Sequence, residues 1–248
     1  MPADACICVE EASVGYGARP VQSGINVRID HGEIFAIVGD SGSGKSTLLK
    51  TMVGLLPAHE GRIRFDGKTL EECRQGGRAP FGILFQGGAL WTSMSVLENV
   101  TLPMDLHGYS VPSARAELAR FKLALVGLTG HEHRSPASLS GGMRKRAALA
   151  RALALDPPVL FLDEPSAGLD PLSSRRLDEL VLALRDGLGV TVVLVTHELD
   201  SLFGIADRML FLDGETHRPL ALGKPAQLAK SAPSAKVRDF LGRRGSRS

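Results

Sequence analysis

Apolar and polar residues alternate over Ile25, Val27 and Ile29 against Asn26, Arg28 and Asp30, the period-two pattern of a strand with one buried face. Ile63 and Phe65 repeat it against Arg62, Arg64 and Asp66, and Asp66-Gly67 then turns the chain. Ile7 to Val14 reads as a strand. Ile34 to Val38 is apolar throughout and ends in glycine, as a strand buried on both faces should. Phe81 to Phe85, Val159 to Leu162 and Val190 to Thr196 supply further strands. Helices are expected from about Lys45 to Leu55, stopped before Pro57, and after Ser95, which forms a capping box with Glu98. Two more are expected over Pro112 to Val126, rich in Ala, Leu, Arg and Glu, and over Ser140 to Leu155, closed by Asp156-Pro157-Pro158. Ser173 to Arg185 and the stretch after His197 complete the set.

Strands alternating with helices predict an α/β core around a parallel sheet, with an antiparallel layer from the early strands and a helical subdomain inserted in the middle. Residues 1–86 and 158–230 are expected to form the core with its β subdomain. Residues 87–157 would form the helical subdomain, and 231–248 a C-terminal helix with a short basic tail.

The 248 residues suit one large domain. A net charge of +2 gives no overall field that would argue for a nucleic-acid partner. Cys6, Cys8 and Cys73 have no His or Cys partners at zinc spacing, and a reduced compartment fits them best. The first ten residues lack the pattern of a signal peptide, and no apolar run is long enough to span a bilayer. His131-Glu132-His133 reads as a polar loop, and His31, His59, His107 and His217 read as surface residues.

The candidate chemistry begins at Gly39-Asp40-Ser41-Gly42-Ser43-Gly44-Lys45-Ser46, followed by Thr47. This phosphate-loop pattern follows a predicted strand and opens a predicted helix, the context it requires. Its glycines let the backbone wrap a polyphosphate, and its amides and helix N-terminus face the anion. Lys45 adds charge near the β- and γ-phosphates, and the Ser46 hydroxyl is a candidate magnesium ligand. Asp163 and Glu164 follow an apolar strand at its C-terminal end, where ligands of open α/β sheets bind. Asp163 is a candidate for magnesium and Glu164 for the general base acting on water, with capping of the next helix as the alternative.

Leu139-Ser140-Gly141-Gly142-Met143 is nearly the signature sequence of the ABC ATPase family, which the chain resembles over almost its whole length. The resemblance implies a P-loop core of RecA-like type, ATP and Mg2+ as ligands, and a second ATPase subunit, identical or similar. The Ser140, Gly141 and Gly142 turn would close on the ATP held by that partner. It further implies that Tyr16 stacks on adenine, that Gln86 reaches magnesium and the attacking water, and that His197 contacts the γ-phosphate. Ser166 to Asp170 resembles the segment that lines the subunit contact. Met143 stands where the family usually has Gln.

Two stretches, Leu84 to Val96 and Leu139 to Ala152, resemble the ATPases of the Mla/Mce lipid-transport systems, as does the closing segment from Lys236 to Leu241. That resemblance implies an MlaE-like integral membrane permease, an Mce lipid-binding protein and a STAS-type regulator as partners. It also implies a peripheral position on the cytoplasmic face of the inner or plasma membrane. An ABC ATPase for another cargo and a soluble ABC scaffold are the alternatives. Arg144, Lys145 and Arg146 oppose the dipole at the start of their helix, which leaves two readings: offset by phosphate or acidic partners, or a solvated face. Arg243, Arg244 and Arg247 read as a solvated tail.

Overall fold

The computed structural model describes residues 5–17, 19–75, 80–108 and 111–242. Arg243, Arg244 and Arg247 lie outside the described residues. The expected antiparallel layer is a sheet of β1 (Ala5–Tyr16), β2 (Arg19–Asp30), β4 (Glu60–Phe65) and β5 (Lys68–Thr69), in the order β2-β1-β4-β5. Its register pairs Ile7 with both Ile29 and Phe65, and Val9 with both Val27 and Ile63. The alternation read from the sequence therefore assembles one apolar face.

The second sheet runs in the order β10-β9-β3-β8-β7-β6. Here β3 (Ile34–Gly39), β6 (Phe81–Leu84), β7 (Val159–Asp163), β8 (Thr191–Val195) and β9 (Arg208–Leu212) are parallel, and β10 (Pro219–Gly223) pairs antiparallel with β9. Every residue of β3, β7 and β8 is buried, because both faces of the sheet are covered. Successive residues feed different cores. Val159, Phe161, Val193 and Val195 join the core under the antiparallel sheet and α1 (Lys45–Met52). Leu160, Leu162, Val192 and Leu194 join the opposite core.

That opposite core is completed by α3 (Val96–Leu106), α4 (Pro112–Leu125), α5 (Gly141–Ala152) and α6 (Pro171–Leu188). A third cluster joins Ala36, Val38, Met209 and Phe211 to α7 (Leu199–Ile205), α8 (Pro225–Ser231) and α9 (Ala235–Gly242). A short helix, α2 (Leu70–Gln75), flanks the antiparallel sheet. None of the described helices is long and apolar enough to cross a membrane.

The capping box at Ser95 is present: the Glu98 amide donates to Ser95 Oγ at 3.2 Å, and the Ser95 amide to Glu98 Oε2 at 2.6 Å. Lys122 of α4, 2% exposed, pairs with Asp156 in the loop leading to β7. Gly82 lets α5 meet β6, since a Cβ there would lie 2.0 Å from the Ala152 carbonyl oxygen.

Some boundaries differ from those expected. α1 stops at Met52 rather than Leu55, because Gly54 (φ 74°) turns the chain into the left-handed region. α6 begins earlier and ends later than Ser173 to Arg185. Asp170 caps it, Pro171 occupies its first position, and Gly189 (φ 68°) closes it. The Asp163-Glu164 pair therefore caps no helix. Cys6 also has neighbours that its spacing did not suggest. Its sulfur and ligand atoms of His31 and Asp66 all lie within 4.8 Å of one another. The His31–Asp66 pair is exposed, whereas Cys6 is buried and burial raises its thiol pKa, which opposes the thiolate that a metal needs.

Candidate functional site

The parallel strands β3, β7 and β8 end on one edge of the sheet, and their C-terminal ends collect the predicted chemistry. The loop after β3 is tightly folded. Gly39 has φ 147° and sits so close to β9 that a Cβ would lie 2.1 Å from the Leu212 carbonyl oxygen. Gly44 (φ 90°) makes the sharp entry into α1, whose first amides have no partner within the helix. The Ser43 amide donates to the Asp40 carbonyl at 3.1 Å. Ser43 Oγ is buried with no hydrogen-bond partner among the described residues, an orphaned donor inside the loop.

Lys45 folds back over this loop. Its Nζ donates to the carbonyls of Gly39 (3.0 Å) and Asp40 (2.7 Å). Burial lowers its pKa, opposed by the charges of Glu164, Asp40 and Asp163. An ammonium in this position can be shared with an incoming anion at little reorganisation.

Ser46 and Asp163 stand side by side, Ser46 Oγ donating to Asp163 Oδ1 at 3.0 Å. Burial raises the Asp163 carboxyl pKa, and the hydrogen bond from Ser46 and the charges of Lys50 and Lys45 act against that rise. A hydroxyl and a carboxylate side by side are hard oxygen donors suited to a small divalent cation. Glu164 follows in a left-handed conformation (φ 47°), rare for a non-glycine residue, with its amide bonded to the Val195 carbonyl at 2.9 Å. That backbone points its carboxylate across the cleft mouth. Gln86 Nε2 donates to Glu164 Oε2 at 2.9 Å, and His197 Nδ1 lies 3.3 Å from Glu164 Oε1.

One cleft of about 1550 Å³ has Tyr16, Val21, Gly39 to Gly42, Gly44, Lys45, Ser46, Thr47, Gln86, Glu164 and His197 on its walls. Tyr16 ends β1, half exposed, with its hydroxyl 3.4 Å from Lys50 Nζ. Ser43, Asp163, Ser140, Gly141, Gly142 and Asp170 are not on those walls, although Asp163 bonds to Ser46, which is. Ser140 caps α5 by accepting from the Met143 amide at 3.2 Å, and Asp170 caps α6 by accepting from Leu172 and Ser173. The Ser140 turn packs on the segment after Glu164: a Cβ on Gly141 would touch Leu169 at 3.4 Å. Met143, which departs from the usual Gln, packs against the helical core.

Residues 22–167, more than half of the chain, match the family model for the ABC transporter. The chain belongs to the ABC transporter ATPases. It is an ATP-binding, ATP-hydrolysing subunit of a transporter, and ATPases of this family work as dimers with a membrane permease. Among its relatives, the intermembrane phospholipid transport system ATP-binding protein MlaF of Haemophilus influenzae is 38% identical, over 90% of this chain and 85% of that one. The probable ribonucleotide transport ATP-binding protein mkl of Mycobacterium leprae is 36% identical, over 98% of this chain and 71% of its own length. Among solved structures, cbiO1 of Clostridium perfringens, part of the ABC transporter complex cbiONQ, superposes with a TM-score of 0.81 at 30% identity, covering 98% of this chain and 97% of that one. A dimeric ATP-binding cassette in a post-hydrolysis state with ADP and Pi gives 0.77 at 28% identity, covering 88% of this chain and 98% of that one.

Sequence reasoning missed several residues that shape the cleft of this ABC ATPase. Gln22, fully buried, donates from Nε2 to the carbonyls of Ser43 (2.9 Å) and Asp213 (2.7 Å), joining the antiparallel sheet to the phosphate loop. It is out of phase with the inward positions Ile25, Val27 and Ile29, so the alternation of β2 gave no signal for it; an irregularity in the pairing with β1 between Ala12 and Val14 brings it inward. The solvated-face reading holds for Arg144, which is exposed, but not for Lys145, which is buried, and Arg146 is half-buried. Arg144 donates to the Leu139 carbonyl at 2.6 Å, and Arg146 to those of Val126 and Gly127. Lys145 is buried and donates to the carbonyls of Gln86 and, at 3.4 Å, Glu164. Carbonyl oxygens thus offset the unfavourable helix dipole, and the charges of Glu164 and Asp163 act on Lys145 in the same sense, as the acidic-partner reading expects.

Proposed function

We propose that this chain energises phospholipid transport across a cell envelope, as one of a pair of identical ATPase subunits bound peripherally to an MlaE-like membrane permease on the cytoplasmic face of the membrane. An Mce lipid-binding protein and a STAS-type regulator belong to the same reading. The observation that carries the chemical part is the convergence of Lys45, Ser46 and Glu164 on one cleft, with buried Asp163 bonded to Ser46 behind them and the Ser140 turn outside it. The cargo rests on the kinship with MlaF, supported by the Met143 variant of the signature turn.

In this reading the loop from Gly39 to Thr47 cradles the triphosphate with its amides and the N-terminus of α1. Ser43 Oγ, orphaned and buried, is a further donor toward it. Tyr16 stacks on the base. Ser46, Asp163 and Gln86 form the donor set for magnesium, and their oxygen chemistry fits that ion. Magnesium, when bound with the nucleotide, neutralises phosphate charge and orients the β- and γ-phosphates.

The chain's own residues do the rest. Glu164, held by Gln86 and His197, accepts a proton from the attacking water as its oxygen approaches the γ-phosphorus in line. Lys45 stabilises charge on the transferring group. His197 contacts the γ-phosphate. Ser140, Gly141 and Gly142 face outward with a helix N-terminus, the device needed to grip the γ-phosphate of a second protomer's ATP. Asp170 and the 166–170 segment line that contact. Phosphate release then removes the anion that both protomers share, and the pair reopens.

Purification of the native complex in mild detergent tests this reading. The expected result is a multispanning membrane protein, two copies of the ATPase, and phospholipid retained stoichiometrically until ATP is added. Recovery of the ATPase with no membrane protein would defeat the transport reading. A membrane protein that retains ribonucleotide in place of lipid would favour the cargo named for the mkl relatives.

A further inference from the structure

The phosphate loop contains a charge of the wrong sign. Asp40 sits directly after Gly39, in the loop whose amides and lysine face a polyanion, and a carboxylate there repels what the loop is built to hold. Its backbone is also structural: the Asp40 carbonyl accepts from both Lys45 Nζ and the Ser43 amide.

A cation from the far end of the chain meets this carboxylate. Lys236 Nζ lies 2.9 Å from Asp40 Oδ2, and it also binds Asp213 Oδ1 at 2.5 Å and Glu215 Oε1 at 3.0 Å. Asp213 follows β9 and is 2% exposed; its other oxygen accepts from the amide (2.9 Å) and hydroxyl (2.7 Å) of Thr216. The lysine is thus anchored on a buried, fully engaged carboxylate and extends its remaining hydrogen-bonding capacity to Asp40. Hydrogen bonds to Asp213 and Asp40 raise its pKa above the usual lysine range, so it remains charged throughout the physiological range.

The helix that carries Lys236 is fixed in place. Val237, Phe240 and Leu241 of α9 are buried against β3 and β9, and the Phe240 ring meets Phe211 edge-on at 5.2 Å between centroids. Lys236 stands in the first turn of α9, where a cation opposes the helix dipole. Only its three acidic neighbours make that position favourable.

We propose that Lys236 is a positioning residue for nucleotide binding: through its ion pair it offsets the charge of Asp40 and so tunes the affinity of the phosphate loop for the triphosphate. This rests on the reading of the Gly39–Thr47 loop as the triphosphate cradle. Asp40 provides the lever and α9 the hand on it, so that contacts made by the C-terminal helix reach the nucleotide through one ion pair.

The test is a double-mutant cycle on the full-length chain, read as the dissociation constant of a fluorescent ATP analogue. Lys236→Ala should weaken binding on the order of ten-fold at low salt, the factor expected for one uncompensated charge near a polyanion, and by less at high salt. The same substitution made in an Asp40→Asn background should change affinity little, and Lys236→Arg should restore it. Thermal midpoints record the separate cost of leaving Asp213 unpaired, which should be similar in both backgrounds. Equal losses of affinity with Asp40 intact and in the Asp40→Asn background, or wild-type affinity in a folded Lys236→Ala protein, would overturn the inference. Lys45→Ala tests the underlying reading by itself. Retained binding there would remove the cradle, whereas lost binding there beside an indifferent Lys236→Ala would remove only the role of Lys236.

Discussion

Gln86 donates its side-chain amide to Glu164 at 2.9 Å, tying the segment that leaves β6 to the residue that follows β7. One carboxylate oxygen is thereby fixed by the entrance of the helical region, and the other is held by His197 from the end of β8. Movement of any of these strand ends moves the group proposed to activate water.

Glu164→Gln keeps the size of the side chain and one acceptor oxygen, and removes its basicity. Steady-state phosphate release should fall by roughly a hundred- to ten-thousand-fold, the usual contribution of a general base. ATP should still bind, and an ATP-dependent dimer should accumulate on size exclusion. Phosphate release at the wild-type rate would take the role away from Glu164.

Lys145→Met addresses the buried ammonium beneath this network. Without it the Gln86 and Glu164 carbonyls lose a shared donor. A hydrogen bond to a charged group contributes about 1.5–3 kcal/mol, which for a chain of this size is a fall of roughly 3–12 °C in Tm. Turnover should fall together with Tm, because both ends of the Gln86–Glu164 bond lose their anchor. A variant with lowered Tm and unchanged kcat would show that the lysine serves packing alone.

Asp178 on α6 predicts a pH effect on stability. It accepts from Ser201 Oγ of α7 at 2.8 Å. Burial pushes its carboxyl up to about 6, with Glu198, Asp200 and Glu179 adding to the rise. A raised carboxyl pKa means that the folded chain holds the proton more tightly than the unfolded one, whose value is about 3.9. The resulting stability is present below about 4 and is lost as pH rises through about 6. Asp178→Asn, uncharged throughout, should therefore gain Tm relative to wild type as pH rises across that window and hold a constant advantage above it. A pH-independent difference would contradict the assignment.

Gly82→Ala places a methyl group against the Ala152 carbonyl. Overpacking of this kind costs on the order of 1–3 kcal/mol, seen as a lower denaturant midpoint at an unchanged slope. Gly87→Ala, where nothing lies within 4 Å of the added atom, is the control for stability.

Much of this architecture is legible in the sequence because it is written in local physics. Ser95, Ser140 and Gly44 stand where helices begin, and the alternation of β2 and β4 survives intact as a face. The phosphate loop is readable because strand, glycines, lysine and helix follow one another directly. What escapes local reading depends on distant chain segments. Lys145 looks like one member of a basic surface run until the Gln86 carbonyl is brought over it. Asp40 and Lys236 are separated by nearly the whole chain, and no periodicity links them. The placement of β9 between β3 and β10 is likewise a property of the assembled sheet, because its short apolar run says nothing about which neighbour it will choose.

The position of β6 at the outer edge of the mixed sheet has a mechanical consequence. Chain leaves the sheet at the top of β6 and re-enters at the bottom of its parallel neighbour β7, so the intervening helices are tethered at two points separated by the height of one strand. Both tethers lie on neighbouring strands, and the close approach of Gly82 to Ala152 holds the end of α5 against β6 between them. Gln86 and Ser140 both belong to the segment between those tethers, so any displacement of that segment would change what each of them can reach.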